Sequence, residues 1–87
     1  MSITRAEFEA SLAALDPSAR LDATGTGPVR AGTTTATISF EALPKLRLGG
    51  LLAMPQARVT IAFDGVAEAE RAHFLKRFDL AFQRGGG

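Results

Sequence analysis

Hydrophobic and polar positions change period several times along this chain, and each change marks an element. Phe8, Leu12 and Leu15 fall at i, i+4 and i+7 and predict one face of a helix over residues 4–15. Thr4-Arg5-Ala6-Glu7 in front of them has the form of a capping box, a hydroxyl at the N-cap and a carboxylate at N3. Pro17 ends that helix, because the residue before a proline is pushed out of the α region. From Thr33 the period becomes two. Ala36, Ile38 and Phe40 share one face, Thr35, Thr37 and Ser39 the other, which predicts a strand over 33–42. Val59, Ile61 and Phe63 define the buried face of a further strand over 58–63. Lys45-Leu46-Arg47-Leu48 alternates too, which predicts a short strand before Gly49-Gly50.

Asp64-Gly65 then opens a second helix, with Asp64 as its N-cap. Val66, Phe74, Leu75, Phe78, Ala81 and Phe82 form its apolar stripe, and acids precede bases along it, as the helix dipole favours. Residues 17–32, rich in Gly, Ala, Ser, Thr and Pro, read as a mobile loop, and 85–87 as a flexible tail. The whole is a single α+β domain over 1–87 in the order α-β-β-α. Two to four antiparallel strands carry both helices on one face, leaving Thr35, Thr37, Ser39, Arg58 and Thr60 on a polar opposite face.

Length limits stability. An 87-residue chain buries only about 60–65% of its unfolded surface, so disulfides, metals or association usually add support. With no cysteine and one histidine, His73, the first two are excluded and no cofactor is expected. Association remains, and a sheet this small has edges that template pairing with another chain. No run approaches the roughly 20 apolar residues of a membrane span, and the first residues lack the apolar stretch of a secretion signal. The expectation is a cytoplasmic protein.

Four constellations bear on chemistry. Gly27-Pro28-Val29-Arg30-Ala31-Gly32-Thr33-Thr34 has the glycines and hydroxyl of a phosphate loop, but Thr33 stands where the lysine belongs. Glu70-x-x-His73 has the spacing of a di-iron ligand pair and lacks its second copy. No serine, threonine or lysine stands in the sequence context of an activated nucleophile, so no enzyme is expected. Formal charge is only +1, yet Arg30, Lys45, Arg47 and Arg58 face Glu41 alone between residues 23 and 63. They form a candidate anion-binding set for a nucleic-acid-associated protein, although the chain has no Trp or Tyr for base stacking.

The terminal Gly85-Gly86-Gly87 resembles the ending of small ubiquitin-like sulfur carriers, whose exposed Gly-Gly carboxylate is adenylated. The likeness covers only those residues, and such carriers open with a β-hairpin where this chain opens with a helix. A small ligand-binding or carrier protein is therefore the third reading, behind the nucleic-acid one.

Leu46, Leu48, Leu51, Leu52 and Met54, grouped around Gly49-Gly50, lead the candidates. Either they close over the open end of the sheet or they form an exposed patch, and contiguous apolar patches mark interaction sites. The leading expectation is a non-catalytic interaction or assembly module that forms a homodimer or serves a larger partner as an accessory subunit. Its candidate interface is this segment or an adjoining strand edge.

Overall fold

The computed structural model describes residues 1–50 and 52–85, with Leu48 and Arg84 described by their backbone alone. Elements follow in the order α1 (Arg5–Leu15), β1 (Thr26–Ala31), β2 (Thr34–Leu48), β3 (Leu52–Ala62) and α2 (Glu68–Gly85). The capping box at the start of α1 is formed. The Glu7 N–H donates to the Thr4 hydroxyl at 3.2 Å, and the Thr4 N–H donates to the Glu7 carboxylate at 3.0 Å.

The three strands make one antiparallel sheet in the order β1-β2-β3. Val29, Ala31, Ala36, Ile38, Phe40 and Ala57 line one face and pack with Phe8 and Leu12 of α1 and Phe74, Phe78 and Phe82 of α2. Both helices thus cover the same face, as the hydrophobic pattern predicts. Phe8 sits at the centre, its ring 4.8 Å from Phe40 and 5.2 Å from Phe82. The opposite face is polar, with Thr35, Thr37, Arg58 and Thr60 exposed.

Three boundaries depart from the sequence reading. Residues 26–31, placed in a loop, form β1. Gly27 and Ala31 are too small to register as apolar positions, yet with Val29 they make its buried side. A Cβ on Gly27 would run into the Arg20 carbonyl, so only glycine lets the 16–24 segment lie against this strand. The strands expected at 33–42 and 58–63 are also longer. β2 passes through Pro44, where the register slips between Leu43 and Leu46 and a β-bulge absorbs the proline. Finally, α2 starts at Glu68: the chain bends at Asp64-Gly65, and Val66 precedes the helix. Phe74, Phe78 and Phe82 are its buried row, whereas Leu75 and Leu80 are exposed.

A projecting hairpin arm and an asymmetric sheet edge

Past the bulge, β2 and β3 run on as a two-stranded arm with Leu46 opposite Met54 and Leu48 opposite Leu52. Nothing in the domain covers it on either side, and every residue described from Pro44 to Met54 is exposed. The shape records the projection. The radius of gyration is 13.8 Å, against roughly 12 Å for a compact chain of this length, and the longest extent is 46 Å.

Cross-strand partners share a face, so Leu46, Leu52 and Met54 form one row, with relative exposures of 48%, 64% and 39%. They do not close over the sheet. Leu51 and the side chain of Leu48 lie outside the described residues. The row lies on the same sheet face as Arg58 and Thr60, away from the helices.

The four cations do not converge. Arg58 lies 3.1 Å from Glu41 in an exposed ion pair, the kind worth at most about 1 kcal/mol. Arg30 directs its Nε to the Gly32 carbonyl at 3.3 Å. Lys45 and Arg47 are exposed on the arm, and Arg47 pairs with Ala53 on the face opposite Leu46. Thr35, the partner of Arg30, stands 12 positions before Arg47 on β2, or roughly 40 Å at about 3.3 Å per residue.

The other motifs resolve into local structure. Gly32-Thr33 is a two-residue hairpin turn between β1 and β2, with Gly32 at φ 64° as such a turn requires at its first position. The glycine-rich stretch is therefore strand and turn, without the helix that a phosphate loop needs behind it. His73 is exposed on α2, and among the described residues no group of three His, Asp or Glu side chains could hold a metal ion. Gly86 and Gly87 lie outside the described residues. Open grooves line the surface. One of about 450 Å³ lies between α1 and α2, lined by Ala14, Leu15, Arg77, Leu80, Ala81 and Gln83. Another of about 310 Å³ beside β1 includes Asp16, Ser18 and Arg30.

Asp16 in that second groove is committed to the backbone. It accepts the Ser18 hydroxyl at 2.7 Å, the Ser18 N–H at 3.0 Å and the Arg30 N–H at 2.9 Å. The Ser18 hydroxyl first, and the Arg30 N–H after it, hold the Asp16 carboxyl below its ordinary proton affinity. Such a carboxylate is a weak base toward the Ser18 hydroxyl, and closing the strand edge is its structural work.

That edge is the outer side of β1. Its outward positions are Thr26, Pro28 and Arg30, because the alternating Gly27, Val29 and Ala31 direct their backbone groups to β2. The Thr26 N–H meets the Asp22 carboxylate at 3.1 Å, and its carbonyl accepts the Asp22 N–H at 2.9 Å. Pro28 has no N–H, and the Arg30 N–H is held by Asp16. No backbone N–H is left free on this side among the described residues, so the edge expected from the sequence is blunted by two carboxylates and a proline.

The outer side of β3 is closed only in part. Ala57 exchanges both backbone hydrogen bonds with Met1, at 2.9 and 2.7 Å, and the Ser2 hydroxyl donates to the Pro55 carbonyl at 3.0 Å. Alternation then turns the N–H and C=O of Val59 and Ile61 outward along the same edge. They have no hydrogen-bond partner there among the described residues. The sequence shows no sign of this asymmetry, since the plugs come from side chains 4 and 14 residues away.

No protein-family model, curated protein or solved structure matches the chain. Among the described residues, no helix is long and apolar enough to cross a membrane.

Proposed function

We propose that this protein is a non-catalytic assembly module that associates through its hairpin arm and the adjoining β3 edge, with a second copy of itself or as the accessory subunit of a larger protein. The observation that carries this reading is the row of Leu46, Leu52 and Met54, exposed together on an element that the domain itself does not use. A projecting two-stranded arm costs backbone order and gains little burial within its own chain. Apolar side chains on such an element gain their burial from a partner. Charge placement supports the same reading over a nucleic-acid one, because Arg30, Arg58 and the arm cations lie apart and Arg58 is already paired. Sedimentation equilibrium tests it. Wild-type protein self-associates at high micromolar concentration; Leu46→Asp with Leu52→Asp weakens that association where the arm is the contact, by burying two carboxylates in an apolar surface, and leaves it intact where the contact is the β3 edge. A wild-type monomer across that range overturns the self-assembly reading.

A further inference from the structure

The half-open edge of β3 specifies how a second copy binds. We infer that two chains pair antiparallel along β3 about a two-fold axis at Thr60, joining their sheets into one of six strands and leaving each arm free for a larger partner; this rests on the self-association part of the reading above.

Three observations point to a copy of this chain. The first is the backbone. Val59 and Ile61 both present N–H and C=O outward, with residue 60 turned toward Ser39 of β2. An axis through Thr60 sets Val59 opposite the copy's Ile61 and Ile61 opposite its Val59. Each of these two pairs exchanges two hydrogen bonds, so four unpartnered donors and four acceptors are satisfied in one step.

The second observation is length. The plug at Ala57 and the end of β3 at Ala62 leave a gap over residues 58–62. The copy's own residues 58–62 span that gap. In this register the copy's residue 63 comes opposite Ala57, the place Met1 holds, and β3 ends one residue earlier, at Ala62. Side chains match as well. Thr60 faces Thr60, and Arg58 faces Ala62, so no like charges oppose one another.

The third is the uneven cover of the core. Val59 stands opposite Phe40 and Ile61 opposite Ile38, on the helix-bearing face. Yet both are only partly buried at the margin of the core, because α1 and α2 lie over β1 and β2. In the paired sheet these β-branched side chains from two copies form one strip between two helix pairs. An isologous contact of this kind closes on itself and leaves the sealed β1 edges outermost, which stops the sheet from growing further.

The chain has no cysteine, which makes single-cysteine crosslinking decisive. Thr60 is exposed, and its Cα would lie about 4.5 Å from its counterpart in a non-hydrogen-bonded pair, within the range a disulfide spans. In a glutathione buffer Thr60→Cys is expected to convert fully to a disulfide-linked dimer, while Thr35→Cys and Leu52→Cys stay monomeric on non-reducing gels. In this arrangement the two Leu52 positions lie roughly 50 Å apart, at about 3.3 Å per residue. Thr60→Lys, which sets two ammonium groups opposite each other, is expected to shift the dimer toward monomer without lowering the melting temperature of the monomer. If wild type sediments as a dimer but Leu52→Cys crosslinks and Thr60→Cys does not, pairing along β3 is overturned and the assembly reading stands. A wild-type monomer at high micromolar concentration overturns both.

Discussion

The Asp16 carboxylate accepts the backbone N–H of Arg30 at 2.9 Å across 14 residues of chain. That bond holds the segment after α1 against β1 and closes one side of the sheet. Asp16→Ala is expected to lower stability by about 1 kcal/mol, less than the roughly 1.5–3 kcal/mol of a charge-assisted bond because the site is partly solvated. Thermal melts of the variant at neutral pH check it.

The same bond sets a pH dependence. Asp16, Asp22 and Glu7 all have carboxyl pKa values lowered in the folded chain. The main causes are the Ser18 hydroxyl for Asp16, the Thr24 hydroxyl for Asp22 and the Thr4 N–H for Glu7. A group with a lowered folded pKa takes up its proton first in the unfolded chain. Its stabilisation is therefore complete above the ordinary values, 3.8 for Asp and 4.5 for Glu, and is lost as pH falls through the lower folded values. Melting temperatures should hold from pH 7 to about 5 and fall below about 4, with a shallower fall in Asp16→Asn. A profile in Asp16→Asn as steep as that of wild type would remove Asp16 from the account.

Ser11 on α1 is buried, and its hydroxyl has no hydrogen-bond partner among the described residues. Removing an unsatisfied buried hydroxyl recovers its desolvation cost, and alanine is the better helix former. Ser11→Ala should raise stability by about 1 kcal/mol, seen as a rise of several degrees in Tm. A fall in Tm would mean that the hydroxyl is satisfied in solution.

Phe78 stacks on Phe82 with ring centroids 4.1 Å apart and is 5% exposed. Phe78→Ala should cost about 3–5 kcal/mol, close to the whole stability of so small a domain. Circular dichroism at room temperature should show the variant largely unfolded; a melt within a few degrees of wild type would contradict the packing described.

His73 is exposed on α2 and belongs to no candidate metal cluster among the described residues. His73→Ala should leave both Tm and metal content unchanged. Stoichiometric zinc or iron in purified wild type, lost in the variant, would reverse the non-catalytic reading.

Much of this was legible in the sequence because period and side-chain size agreed. The row Phe74, Phe78, Phe82 and the alternation Ala36, Ile38, Phe40 both fall on the buried faces expected of them. β1 was hidden because its inward side is Gly27, Val29 and Ala31 and its outward side includes Pro28, a composition that matches loops. The proline is tolerated because its missing N–H lies on a strand edge. The start of α2 was misplaced because Asp64-Gly65 fits a helix cap and a turn equally well. At the candidate site, the apolar grouping of Leu46, Leu52 and Met54 could be read directly, but their common face could not. A bulge between Leu43 and Leu46 resets the parity of β2, and only the paired register shows it. The plugs on Thr26 and Arg30 involve Asp22 and Asp16, which no short motif links to β1.

Sedimentation equilibrium of the wild-type chain beside the Leu46→Asp, Leu52→Asp variant tests the assembly reading most directly, because it reads mass independently of shape in an elongated molecule. The account predicts a mass of twice the 9.1 kDa chain at high micromolar concentration for the wild type, kept in the variant because the copies pair along β3. A wild-type mass that stays at one chain over the whole range would contradict it.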